Sequence, residues 1–338
     1  MLVLQEIVEN ITWKSDLDGY NPKTNLNWCD MPMEMRAECM KWMDFKTRTH
    51  LGATSKTEKS LVASKKYHFE KITLGLCYDT DWWIRGRTIG EDGIYRTEDC
   101  TDTHHKRSQH KLCISKIFTN TIIDRFKLFS TSGDFDEDII MMEELVKYAP
   151  FQFKQITLDY MNEVLFFLSA CKNLEIIKYI GNKEYPPFPV AEALTLPSVI
   201  NAKKIRIIEL QHEDFVGLLL GIAQTWIDND ASVGKSFESV VDFLGAVELF
   251  AWQFADRIID ESEKEVRIRM DDSKKQILIR CIGKSGSYEF TSCKVIPIDL
   301  PKSKYGIGDE WVTRELKRWQ DKEKDPPPPP FDFFARDE

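Results

Sequence analysis

The chain has 338 residues, 42% of them apolar and 30% charged, and its 55 acidic residues exceed its 46 basic residues by nine. At about 150 residues per domain, this length predicts about two domains, and the composition indicates a globular protein rather than a collagen, a coiled coil or a disordered chain. The acidic balance, with no basic run longer than a pair such as Lys106-Arg107, argues against nucleic acid as a partner.

Cysteine usage and hydropathy bear on the cellular compartment. The eight cysteines form no CxxC pair, so we expect reduced thiols. Glu6 and Glu9 lie where a signal peptide needs an unbroken apolar run, and the longest apolar stretches, 164–168 and 216–223, are far shorter than the roughly 20 residues of a membrane span. We therefore expect a cytoplasmic or nuclear protein with no membrane partner.

Residues 1–27 carry turn signals and little periodicity, so we interpret them as a leader. A helical unit is predicted next, at 28–70. Asp30 is expected to cap its first helix, with Pro32 in the first turn. Met35, Cys39 and Met43 then recur every four residues along one face, as in an amphipathic helix.

Two more helices complete this unit. Residues 45–52 predict a short second helix, and the capping box Ser55-x-x-Glu58 predicts the start of a third, which carries Leu61 and Val62 inward. A unit of about forty residues is hardly stable alone, so we expect it to need a partner surface.

A β-rich connector is predicted at 71–119. Residues 72–77 alternate between apolar and small or polar side chains, and 82–89 and 94–95 flank a turn as in a hairpin. Residues 110–117 are expected to add a further strand.

Strands and helices alternate over 120–300. The predicted strands there are 155–160, 174–180 and 204–210, and the predicted helices are 164–171, 190–202, 214–227 and 247–258. Strand starts about 20 and 30 residues apart are typical of a leucine-rich-repeat-like solenoid, although the repeats are irregular. An antiparallel meander is predicted from three runs at 265–270, 275–282 and 288–296.

The tail at 301–338 is charged and proline-rich. A short helix is predicted at 310–320, and the five prolines at 326–330 are interpreted as a solvated spacer. The alternative is a polyproline segment that docks in an aromatic groove.

Motifs for catalysis and cofactor binding are incomplete. Gly234-Lys235-Ser236 and Gly283-Lys284-Ser285 lack the first glycine of a phosphate loop, and His212-Glu213 lacks the second histidine of a zincin helix. No nucleophile, base and orienting group can be named, so we expect no cofactor and no enzyme, while an uncatalogued active site stays a minor alternative.

One cluster of possible zinc ligands lies in a polar loop. It consists of Cys100, His104, His105, His110 and Cys113. Their spacing matches no common zinc finger, so we expect no metal there.

The segment 28–70 resembles an F-box, in the divergent form of the large nematode families. Met31-Pro32, Glu34, Met35, Met43-Asp44 and Thr54-Ser55-Lys56 occupy the positions of the family's leucine-proline start and later motifs, and Glu58 stands where a tryptophan is usual. The downstream region, roughly 120–259, resembles the FTH-type domain that accompanies these F-boxes. Its cues are 173–175, 194–197 and 226–234.

The resemblance implies a non-catalytic substrate-recognition subunit of a ubiquitin ligase. Its F-box would bind a Skp-family adaptor, and through it a cullin, while the α/β domain would bind a protein substrate. The adaptor-binding residues would be Met31, Pro32, Glu34, Met35, Cys39, Met43, Phe45, Leu51, Leu61 and Val62. Two alternatives stay open: these apolar residues pack against the adjoining strands, or the chain is a repeat-domain scaffold with a degenerate F-box outside any ligase.

The expected fold class is therefore α+β. A small N-terminal three-helix F-box is followed by β-hairpins and by an irregular leucine-rich-repeat-like α/β domain with a terminal antiparallel meander.

Overall fold

The computed structural model describes residues 28–76, 82–89, 95–99, 114–118, 121–130, 143, 145–159, 164–181, 190–210, 212–242 and 244–324. The chain divides into two compact units, residues 1–72 with 83–123 and residues 73–82 with 124–338. The predicted leader, the candidate zinc ligands and the five prolines lie outside the described residues. The predicted domain limits stay a prediction.

In the described residues of the first unit, a 3-10 turn at Trp28–Asp30 is followed by three helices, α1 Met33–Cys39, α2 Phe45–Thr54 and α3 Lys56–Ser64. Asp30 is not the cap of α1, because it lies in a separate 3-10 turn and Pro32 holds the cap position without a side-chain bond. The Ser55 hydroxyl accepts a hydrogen bond from the Glu58 amide at 3.1 Å, as the capping box predicts. The predicted three-helix unit is thus present, with α2 reaching past Gly52.

Strands β1 Tyr67–Leu76, β2 Trp82–Ile89 and β3 Tyr95–Asp99 follow in the order β3-β2-β1. β2 and β3 pair antiparallel, which confirms the predicted hairpin. Gly86 is required where Phe69 crosses β2, since a Cβ there would lie 2.1 Å from the ring. The strand predicted at 110–117 is wrong where it is described: 114–118 is helical, because Ile114 and Ile117 share one buried helical face.

The second unit contains a mixed sheet. Its strands in the described residues are β4 Thr121–Ser130, β5 Gln155–Asp159, β6 Ile176–Ile180, β7 Lys204–Leu210, β8 Ser236–Val241, β9 Ile258–Ser262, β10 Glu265–Arg269, β11 Lys275–Ser285 and β12 Tyr288–Pro297. The order is β4-β5-β6-β7-β8-β12-β11-β10-β9, parallel from β4 to β8 and antiparallel thereafter. The predicted meander is therefore confirmed and extended by β9.

Helices connect and cover these strands. They are α4 Val164–Ala170, α5 Val190–Ala193, α6 Pro197–Ile200, α7 His212–Asp228 and α8 Ala246–Gln253. The single helix predicted at 190–202 is wrong, because Leu196 is extended before Pro197 and separates α5 from α6. The helix predicted at 247–258 ends early, and Ile258 already belongs to β9.

One central strand was missed. β8 is buried at every position although it contains Ser236, Glu238 and Ser239. Its polar side chains interrupt the continuous apolar run that predicts a buried strand. The strand is buried because it lies between β7 and β12 and pairs with both.

Helix α9, Glu310–Lys324, is the most C-terminal helix of the described residues, and it packs on the sheet of the second unit. Trp311 and Val312 are buried against Ile208, Val240 and Phe290 of the sheet. The helix predicted at 310–320 in the tail is therefore present, extends to Lys324 and belongs to the core of the second unit.

Candidate functional site

The helical segment of the first unit has its own small apolar core. Its buried members are Met31, Cys39, Met40, Met43 and Leu61. Half-buried side chains pack around it, namely Trp28, Met35, Ala37, Leu51 and Val62. Flexible methionine side chains fill the space between short helices, which allows so few residues to form a core.

The structure divides the ten predicted adaptor-binding residues into three groups. Met31, Cys39, Met43, Phe45 and Leu61 are buried within the protein. Met35, Leu51 and Val62 are half-buried against the core, while Pro32 and Glu34 are exposed. A buried residue supports the shape of a surface rather than touching a partner. Phe45 packs against Tyr67 and Phe69 of β1, as the alternative of packing against the adjoining strands predicts, whereas the other four pack among the helices. The adaptor-binding role of the ten residues stays a prediction.

Two exposed apolar residues in this segment were missed. Met33 on α1 is 51% exposed, and Trp42, in the 3-10 turn Met40–Trp42 after α1, is 49% exposed. Met33 is outside the four-residue series that begins at Met35, which is why periodicity did not select it. Large apolar side chains that remain exposed on so small a unit are typical of an interaction surface.

A buried ion pair ties α1 to α3. The Arg36 Nη1 atom donates to Glu58 Oε1 at 2.6 Å, and the two side chains are only 15% and 5% exposed. Glu58 does not close the capping box on Ser55; its second oxygen, Oε2, is buried without a hydrogen-bond partner. Glu58 therefore holds the first and third helices together.

The parallel strands of the second unit carry a polar row on one face. Residues in register across adjacent strands are Lys127, Thr157, Lys178, Arg206, Glu238, Ser292 and Arg280. Paired residues point to the same side of a sheet, so these side chains form a continuous line. The adjacent positions on the strands, such as Ile177 and Ile207, are buried on the opposite face.

Charges in this row are largely matched. Arg206 Nε donates to Glu238 Oε2 at 2.9 Å, and burial raises the pKa of the Glu238 carboxyl. The Lys178 ammonium lies 5.7 Å from the centre of the Trp311 ring, and burial lowers its pKa. The row therefore presents half-buried cations next to an aromatic ring rather than a uniform electrostatic patch.

Two kinds of site are absent from the described residues. No group of three His, Cys, Asp or Glu side chains there could hold a metal ion. Within the same residues, no helix is both long and apolar enough to cross a membrane.

A comparison with known families bears on the three helices of the first unit. The model of the F-box domain matches residues 28–70, which are the three helices and the start of β1. Searches of the curated proteins and of the solved structures found no match. An F-box domain is thus present, and such domains typically bind Skp-family adaptors.

Proposed function

We propose that this protein is a substrate-recognition subunit of a Skp-cullin-F-box ubiquitin ligase. The F-box at residues 28–70 carries the proposal. F-box proteins are generally non-catalytic adaptors, and no catalytic constellation is evident in the sequence. In this function the chain brings a protein substrate close to the ligase. One surface binds the Skp-family adaptor and, through it, a cullin, and another surface binds the substrate.

The adaptor surface is centred on the exposed apolar residues of the F-box. Met33 and Trp42 are its anchors, because burying such side chains in a partner groove supplies most of the binding energy of an interface. The predicted residues Pro32 and Glu34 are exposed beside Met33 and complete this surface. The buried residues of the predicted set, such as Met43 and Leu61, maintain the spacing of the helices beneath it.

The test measures the affinity of the full-length protein for a purified Skp-family adaptor by calorimetry. Met33→Asp combined with Trp42→Asp should raise the Kd at least about 30-fold, because a carboxylate in a desolvated interface costs about 2–5 kcal/mol. Both residues are about half exposed, so the folded state should tolerate the changes.

The matched control is Trp252→Asp with Ile307→Asp. These residues are 75% and 67% exposed in the second unit, and the substitutions change the charge equally. The control should leave the Kd within about twofold of the wild-type value. Equal affinity of all three proteins would refute the proposed surface, and absence of binding by the wild type would favour the scaffold with a degenerate F-box.

We further propose that the α/β domain, approximately 120–300, binds the substrate. The polar row supports this on β4 and β5, where Lys127 and Thr157 are half-buried on one face; from β6 to β8 the same face lies against Trp311 of α9. Thr157→Arg in the full chain should retain the adaptor but lose other copurifying proteins. An unchanged partner set would move the substrate surface elsewhere.

Three finer assignments belong to the same proposal. The α/β domain is of the FTH type that accompanies nematode F-boxes, its parallel strands form an irregular leucine-rich-repeat-like array, and the protein acts in the cytoplasm or nucleus. The five parallel strands β4 to β8 with intervening helices support the second assignment.

A further inference from the structure

A groove lies beside α2 and α3 in the first unit. Its volume is about 670 Å³, and it is lined by Phe45, Arg48, Thr49, Gly52, Ala53, Ser55, Lys56, Lys59, Val62, Ala63, Lys65, Tyr67 and Lys116. The two helices come close at its base, where a Cβ on Gly52 would lie 3.6 Å from Val62. The apolar side chains of Phe45, Val62 and Tyr67 contribute to this lining.

The charge of the groove has one sign. Its lining includes four lysines and Arg48 but no aspartate or glutamate, although the whole chain carries a net charge of -9. Within the described residues, Lys56, Lys59, Lys65 and Lys116 form no ion pair. A positive groove on an acidic protein attracts anionic ligands to that place rather than to the surface in general.

Arg48 is built into the wall of the groove. Its Nε atom donates to the Met43 carbonyl at 3.3 Å, its Nη1 atom lies 3.5 Å from the Lys65 carbonyl, and its guanidinium stands 4.6 Å from the centre of the Tyr67 ring. These contacts hold a cation beside an aromatic face. The lysines, in contrast, are exposed or half-buried and can turn toward a ligand.

We infer that this groove binds a short acidic peptide segment of another protein. An apolar side chain of the peptide would lie against the half-buried Val62 and Tyr67, and flanking carboxylates would meet Lys56, Lys59 and Lys65. Charge complementarity selects the peptide, and the apolar lining favours it over a nucleic acid, whose phosphates would leave that lining uncovered. The groove includes Phe45 and Val62 of the predicted adaptor-binding set but neither Met33 nor Trp42, so the inference does not rest on the adaptor surface proposed above.

The probe is a short fluorescein-labelled peptide with a central leucine flanked on both sides by aspartates. Fluorescence anisotropy with the full-length protein should show saturable binding, weakened at high salt because the lysines are exposed to screening. A peptide with asparagine in place of every aspartate should bind at least about tenfold more weakly. No saturable binding, equal binding of both peptides, or stronger binding of labelled single-stranded DNA would overturn the inference.

Two variants locate the site. Lys56→Glu with Lys59→Glu should weaken peptide binding by about tenfold or more, because both exposed cations are reversed. Ala53→Trp should do the same without any change of charge, since this exposed helical residue lines the groove and a ring there would fill it.

The matched control is Lys41→Glu with Lys66→Glu. Both lysines are exposed in the same unit and neither lines the groove. This control changes the net charge equally and should keep affinity within about threefold of the wild-type value. A loss as large as that of the groove variants, or full affinity of the Ala53→Trp protein, would show that the peptide does not bind in this groove.

Discussion

The ion pair between Arg36 and Glu58 should decide whether the F-box keeps its shape. Removing one member of a buried pair costs about 3–5 kcal/mol, because the remaining charge is left without compensation. The Arg36 side chain keeps 15% of its surface exposed, so water partly solvates the orphaned guanidinium. We therefore expect Glu58→Ala to reduce the free energy of opening of the F-box by about 3 kcal/mol, at the lower end of that range.

Hydrogen exchange followed by mass spectrometry measures this loss where it occurs. Peptides from α1 and α3 in the full-length protein should lose protection, whereas peptides from β11 and β12 in the second unit should not change. Glu38→Ala is the matched control. Glu38 is 58% exposed and pairs with Lys41 on the surface, so its loss should cost less than about 1 kcal/mol.

A double variant tests the cause. Arg36→Met with Glu58→Leu replaces the pair by apolar side chains, and buried pairs replaced in this way often lose no stability. It should recover most of the protection that Glu58→Ala removes. If Glu58→Ala costs no more than Glu38→Ala, or if the double variant is as unstable as the single one, the pair does not hold the helices together.

Three further outcomes are expected of the second unit and the thiols. Trp311→Ala should lower the free energy of unfolding by about 3–5 kcal/mol in urea titrations, and Trp252→Ala, at a 75% exposed position, by less than about 0.5 kcal/mol; similar values would place α9 outside the core. Burial raises the pKa of the Glu289 carboxyl above its ordinary 4.5, so the native state binds more protons and stability falls as the pH rises through the window above 4.5. Glu289→Gln should flatten that fall, because an amide does not titrate in this range, and an unaltered pH profile would contradict this. Exposed Cys29 should react with iodoacetamide at pH 8 well before Cys171, since burial raises the pKa of the latter to about 12; equal rates by mass spectrometry would contradict the burial.

The first unit illustrates how far local signals reach. The hydroxyl cap at Ser55 and the antiparallel pairing of β2 with β3 depend on residues close in sequence, and both were predicted. The helix at 114–118 was not, because Ile114 and Ile117 fit either an alternating or a helical pattern in so short a run.

The F-box segment was predicted in position, and the adaptor-binding roles of its residues stay a prediction. Five of the ten predicted residues lie in the core, and periodicity did not select the exposed Met33 and Trp42. The sequence does not distinguish an apolar side chain that faces the core from one that faces solvent. In this segment, the packing of α1 against α3 determines which apolar side chains are buried. The groove beside α2 and α3 was likewise invisible, since Lys116 joins it from far along the chain.

The sequence by itself determined the elements whose causes are local: the three helices of the F-box, the hairpin, the antiparallel meander and the long helix α7. The tertiary structure alone decided the burial of β8, the place of α9 in the core and the partner of Glu58. Each of these depends on residues distant in sequence. Glu238 can be buried in β8 because Arg206 of β7 neutralises it, and Glu58 because Arg36 of α1 does. A charged residue is buried where the fold places an opposite charge beside it, and a local sequence pattern does not predict that pairing.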